Sequence, residues 1–169
     1  MARGSTGFVR AADGGVKRGR KPILAPPPFC PVRAVAGLDL PPGVRLVLPY
    51  PPAGLNPNVR HAHPAKKAPI AKAYREECWA MALQAFGCGR DHAFIPASGP
   101  IAVRLDFYPP NTRARDDDNA EAAFKAGRDG VAAALRVDDA RFVVTRALHR
   151  DPRGCVVMTF ADAAGLGVA

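Results

Sequence analysis

Long apolar runs are missing from this sequence. No stretch approaches the roughly 18 apolar residues of a membrane span, so no crossing helix is expected. The N-terminus is basic but lacks the apolar segment of a secretory signal, and a cytoplasmic setting is the expectation. Cysteine is scarce and scattered: Cys30, Cys78, Cys88 and Cys155 make no C-x-x-C pair and no repeated spacing. That argues against a zinc site, for which only His61 and His63 offer co-ligands, and against disulfides in a chain without an export signal. No internal repeat is evident, and no motif asks for an organic cofactor. Acid is in deficit, with 15 Asp and Glu against 24 Lys and Arg, a formal net charge of +9. Such an excess favours a polyanionic partner, nucleic acid or an anionic membrane surface.

The few acids are concentrated. Arg113-Ala114-Arg115-Asp116-Asp117-Asp118-Asn119 is followed by Lys125, Asp129 and Asp138-Asp139. Adjacent carboxylates repel unless a cation or a helix N-terminus neutralises them. Arginines beside the acids and a lysine two helical turns later suit carboxylates that hold a metal and cations that hold a phosphate.

Proline and glycine, 18 and 16 of 169 residues, divide the chain. Residues 1–42 carry cations, Pro26-Pro27-Pro28 and Pro41-Pro42, with too few large apolar side chains for a core. They read as a flexible basic, Pro-rich arm. A folded domain is expected over 43–161 and a frayed tail over 162–169. Within the domain, residues 44–49 read as a strand, 65–86 as a helix with Ile70, Tyr74, Cys78, Met81, Ala82 and Ala85 on one face, and 101–108 as a strand. A second helix begins at the acidic run and keeps Ala120, Ala123, Phe124, Gly127, Val131, Ala134 and Leu135 on an apolar stripe. Strands follow at 141–148 and 155–160, and the short link between them predicts an antiparallel hairpin. The expectation is an α+β domain of β-α-β-α-β-β order.

On the second helix Asp118, Lys125 and Asp129 lie within about 20° of one line, away from the apolar stripe. A Mg²⁺ ion takes oxygen ligands, commonly one or two carboxylates with water and substrate phosphate. Asp116 and Asp118 with Asp139 from a separate loop suit such an ion, with Mn²⁺ as a substitute, and Lys125 suits charge developing at phosphorus. The plain alternative is that Asp116, Asp117 and Asp118 cap a helix and Asp138-Asp139 form a turn. Asp129 either holds Lys125 for chemistry or pairs with it on the surface. Arg113 and Arg115 either grip a DNA backbone or pair with nearby acids. Arg60, His61, His63, Lys66 and Lys67 form a basic loop suited to phosphate contact. Trp79 and Phe124 are expected in the core.

The ordered set Arg115-Asp116-Asp117-Asp118-Asn119, Lys125-x-x-x-Asp129 and Val137-Asp138-Asp139 resembles the signature of the RusA family of Holliday junction resolvases. Upstream, Leu48-Pro49-Tyr50-Pro51-Pro52 and Lys72-Ala73-Tyr74-Arg75 resemble that family's opening. The resemblance spans residues 44–160. It implies a small mixed sheet with two main helices, a homodimer, and Mg²⁺-dependent cutting of four-way DNA junctions by paired nicks in recombination or repair, in phages and prophages. It implies Asp116, Asp118 and Asp139 as metal ligands and Lys125 as the essential lysine, with Asp117, Asn119, Asp129 and Asp138 around them. A non-catalytic branched-DNA-binding protein of the same fold is the alternative. Departures are an acid at Asp117, an N-terminal arm without a family counterpart, and three extra residues between Asn119 and Lys125. Seven residues from Asp118 still return Lys125 to the same helix face.

Overall fold

A computed structural model describes residues 29–60, 64–88, 92–113 and 115–160. It is α+β: a mixed four-stranded sheet, two long helices and a one-turn helix. The elements are α1 (Pro31–Ala34), β1 (Val44–Pro49), α2 (Lys67–Phe86), β2 (Ile101–Tyr108), α3 (Asp117–Leu135), β3 (Phe142–Leu148) and β4 (Cys155–Phe160). The expected order of the main elements is therefore observed.

The sheet order is β1-β4-β2-β3. β4 runs antiparallel to both β1 and β2, while β2 and β3 are parallel. β1, β2 and β3 thus point the same way, and α2 and α3 are the crossovers that parallel strands require. The expected β3–β4 hairpin is not formed. The link from β3 to β4 passes over the end of β2, where His149 N–H donates to Phe107 (2.9 Å) and Gly154 N–H to Pro109 (3.1 Å). The cause is burial: every residue of β4 is buried, so this strand belongs in the sheet centre.

Both long helices cover one face of the sheet. Leu46 and Leu48 of β1, Val103, Leu105 and Phe107 of β2, and Val156, Met158 and Phe160 of β4 pack there with Tyr74, Cys78, Phe124, Val131 and Leu135. The whole apolar stripe expected on α3 is buried. On α2, Tyr74, Cys78 and Ala82 are buried but Ala85 is exposed. Trp79, expected in the core, is 43% exposed, whereas Phe124 is 1% exposed. Trp79 follows inward-facing Cys78 by one residue, about 100° around the helix, and so falls at the edge of the interface.

The helices approach closely because α3 carries glycine where they cross. A Cβ on Gly130 would lie 2.3 Å from the Arg75 carbonyl oxygen and 3.2 Å from the Trp79 nitrogen. α2 ends at Gly87, in the left-handed region at φ 80°, with its N–H donating to the Leu83 carbonyl (2.8 Å).

The opposite sheet face is partly covered by the N-terminal stretch. Phe29, Ala34, Val35, Leu38 and Leu40 pack against Val47, Tyr108, Cys155 and Val157, and Arg153 Nη1 donates to the Ala36 carbonyl (2.9 Å). Residues 29–40 thus form a small apolar cluster, although the sequence promised too few large side chains for one. The rest of the expected arm, residues 1–28, and the tail 162–169 lie outside the described residues. On this face Asp106 is 1% exposed and fully partnered. Arg104 donates twice to it at 2.9 Å, and His149 Nε2 stands 2.8 Å from Oδ1 while its ring stacks on Tyr108.

Candidate functional site

The carboxyl ends of β1, β2 and β3 meet at one end of the sheet, the place where open parallel sheets leave a crevice. A cleft of about 970 Å³ lies there. Tyr50, Pro51 and Pro52 after β1, Pro110 and Asn111 after β2, and Leu148 at the end of β3 line it, together with Arg113, Arg115, Asp116 and Asn119. The N-terminus of α3 borders this cleft and contributes partial positive charge to it.

Arg115 organises the loop before α3. Its guanidinium donates to the carbonyls of Asn111 (2.9 Å) and Arg113 (3.1 Å) and to Asn111 Oδ1 (2.8 Å). It also sits 5.6 Å from the Tyr50 ring centroid. Partial burial pushes the Tyr50 phenol above its ordinary range, with Arg115 pulling the other way. These contacts make Arg115 a clamp of the loop, a role that neither of the two readings left open for it, a grip on a DNA backbone or pairing with nearby acids, had named.

Asp116 is the N-cap of α3, its Oδ1 accepting from Asp118 N–H (3.3 Å) and its Oδ2 from Asn119 Nδ2 (3.5 Å). Asp138 caps the short turn Asp139–Arg141 by accepting from Ala140 N–H (3.0 Å). Capping explains one carboxylate of each acidic motif and leaves Asp118 and Asp139 for other work.

Those two belong to an alternating chain of charge along the exposed side of α3. Lys125 Nζ lies 3.3 Å from Asp129 and 3.9 Å from Asp139. Arg128 lies 3.8 Å from Asp139 and 3.5 Å from Glu121. Arg146 of β3 joins Glu121 to Asp118. Every carboxylate in the row is thus next to a cation. Exposed pairs of this kind contribute only about 0–1 kcal/mol each, so they exchange readily for other partners.

The structure therefore unites Lys125, Asp129 and Asp139, and places Asp116, Asp118 and Asn119 together at the start of α3. Among the described residues no group of three or more His, Cys, Asp or Glu could hold a metal ion as arranged. Asp118 and Asp139 face cations instead. Arg60, Lys66 and Lys67 are exposed around the start of α2, and Arg113 lines the cleft. His61 and His63 lie outside the described residues. Sequence reasoning missed Glu121, Arg128 and Arg146. Glu121 was findable, being three residues from Asp118 and four from Lys125 on one helix face. Arg146 announces itself as a charge within the row Phe142, Val144, Arg146, Leu148 that faces α3.

Fold and site define a small α+β protein with an arginine-bearing cleft at the strand ends and a carboxylate–cation face beside it. The chain belongs to the same family as a protein of Xylella fastidiosa (strain Temecula1 / ATCC 700964), described as an uncharacterized protein. The two are 38% identical over 116 residues, 68% of this chain and 73% of that protein. No protein-family profile matches the chain. Among the described residues, no helix is long and apolar enough to cross a membrane.

Proposed function

We propose that this protein is a Mg²⁺-dependent, structure-selective endodeoxyribonuclease of the RusA kind, cutting four-way DNA junctions by paired nicks. One observation carries the reading: Lys125 Nζ stands 3.9 Å from Asp139, so an acid of the separate loop meets the charged edge of α3. Structural capping accounts for Asp116 and Asp138 but gives no reason for that meeting.

Carboxylate oxygens are the donors a hard cation takes, and Asp118 and Asp139 would first have to leave the cations they now face. Asp116, Asp118 and Asp139 would hold Mg²⁺, or Mn²⁺ in its place, which supplies Lewis acidity at the scissile phosphate and a lowered pKa for an attacking water. The chain's own residues do the remainder. Lys125 offsets negative charge growing on the phosphoryl oxygens, and Asp129 keeps its ammonium directed along the helix edge. Arg113 and the α3 N-terminus attract the DNA backbone into the cleft, while Arg115 holds the loop that presents them. The net charge of +9 draws in branched DNA by counterion release. A homodimer suits the substrate, since a nearly two-fold junction needs two symmetric cuts. A cytoplasmic setting goes with this reading.

Asp118→Asn and Asp139→Asn test it against binding without chemistry. Removing a carboxylate from a DNA-facing surface leaves junction affinity equal or higher, while cleavage falls by at least two orders of magnitude. Junction binding that collapses with these changes contradicts the assigned roles.

A further inference from the structure

We infer that the cleft at the strand ends is a nucleobase pocket, built to take an unpaired base of branched DNA by its hydrogen-bonding edge. The inference deepens the DNA reading above and rests on it for the source of the base.

Asparagine carries the argument. The chain has four, Asn56, Asn58, Asn111 and Asn119, and all of them line this one cleft. Three separate segments bring them there: the link after β1, the link after β2 and the first turn of α3. Turn chemistry accounts for only part of this gathering. Asn56 Oδ1 accepts from Asn58 N–H (2.9 Å), and Asn111 Oδ1 accepts from Arg113 N–H (3.3 Å) and Arg115 Nη2 (2.8 Å). Those donors fix which end of each amide is oxygen and leave both Nδ2 groups as donors. Asn119 uses its other end: Nδ2 donates to Asp116 (3.5 Å), leaving Oδ1 as an acceptor. Among the described residues the Asn58 side chain makes no hydrogen bond.

The cleft thus presents donors and an acceptor together. A phosphate only accepts, and has no use for Asn119 Oδ1. A base edge carries both kinds of group, and an asparagine amide matches adenine with one donor and one acceptor. The walls suit a flat ring as well. Tyr50, Ala123 and Leu148 are apolar lining, and Tyr50 is held between Arg115 and the edge-on Phe107 ring, 6.4 Å away between centroids. At a junction crossover the continuous base stack is broken, so a base there leaves it at the smallest cost. Arg113, in the same lining, is left for the flanking phosphate.

The test is fluorescence anisotropy of the full chain, in EDTA, on a four-way junction carrying one unpaired adenine at the crossover and on the same junction with that nucleotide abasic. Titrations with deoxyadenosine monophosphate and with deoxyribose phosphate run in parallel. Wild type binds the adenine junction roughly five- to tenfold tighter than the abasic one, the low end of what an amide pair contributes at a base edge. Asn58→Ala combined with Asn119→Ala brings that ratio to within about twofold, while affinity for the abasic junction is kept. Asn58→Ala alone, which removes no bond within the protein, falls between and carries the comparison if the double variant does not fold. A preference for deoxyadenosine monophosphate over deoxyribose phosphate, with no response to the junction base, keeps the pocket and assigns it to a free nucleotide. Indifference to the base in both arms overturns the inference and leaves the nuclease reading standing. Absence of junction binding by wild type overturns the nuclease reading, and the free-nucleotide arm then decides the pocket by itself.

Discussion

Gly130→Ala puts the geometry that places the site under direct test. In an ordinary helix interior this change stabilises by about 1 kcal/mol, because alanine is the better helix former. Here the new Cβ falls 2.3 Å from the Arg75 carbonyl oxygen and 3.2 Å from both the Arg75 carbonyl carbon and the Trp79 nitrogen. All three are backbone atoms of α2, so no side-chain rotation relieves the clash, and α3 has to move away from α2 by close to an ångström. Overpacking of that kind costs about 1–3 kcal/mol. After the propensity gain, a net loss of roughly 0–2 kcal/mol remains, read as a lower urea midpoint at unchanged m-value. Gly127→Ala is the internal control. Its Cβ would meet Phe124 Cε2 at 2.8 Å and Tyr74 Cε1 at 2.9 Å, side-chain atoms with some freedom to shift. It loses less than Gly130→Ala. A Gly130→Ala protein more stable than wild type refutes the close helix crossing. Because α3 carries Asp118 and Lys125, the same displacement also lowers the proposed nuclease activity.

Tyr74 donates its phenol O–H to the Pro49 carbonyl at 2.7 Å inside the core. Tyr74→Phe leaves that carbonyl unpaired and costs about 1–2 kcal/mol by urea denaturation; an unchanged midpoint shows that the bond contributes nothing. Burial pushes the Cys78 thiol up to about 12, with the Tyr74 hydrogen bond opposing and Glu77 adding to the rise. In the unfolded chain this thiol ionises near its ordinary value of about 8.5. Between those values the unfolded state sheds a proton that the folded state keeps. Stability is therefore full below the unfolded value and falls by about 1.4 kcal/mol per pH unit above it. Cys78→Ala makes the slope between pH 9 and 11 shallower, leaving the share of Cys155, which burial also pushes up to about 11, and an identical alkaline slope in the variant refutes the assignment.

Strand positions were legible because punctuation and pattern agree. Pro49 ends β1, Pro109-Pro110 follow β2, and the observed bounds of β1, β2 and β4 match those read from the sequence. The partner of β4 was not legible by loop length, since a six-residue link can either turn back or step across a strand end. The signal lay in Cys155-Val156-Val157-Met158-Thr159-Phe160, a nearly unbroken apolar run typical of a strand covered on both faces. Its neighbours on both sides follow from that burial. The cluster over residues 29–40 was hidden because Phe29, Val35, Leu38 and Leu40 are spaced irregularly and find their core only against Tyr108 and Cys155.

At the candidate site the carboxylates and Lys125 were legible because they share one short stretch and one helical period. Their cationic partners were not. Arg128 lies one residue short of Asp129 on a helix already read as amphipathic, and Arg146 arrives from a strand whose pairing decides what it can reach. The parallel alignment of β2 and β3, with Leu105 opposite Arg146, is what brings that guanidinium to α3.

Cleavage of a labelled synthetic four-way junction, beside a linear duplex of the same sequence, tests the central claim most directly. The account predicts paired, symmetric nicks near the crossover in Mg²⁺, none in EDTA, and none on the linear duplex. Tight junction binding with no cutting in Mg²⁺ or Mn²⁺ would contradict it.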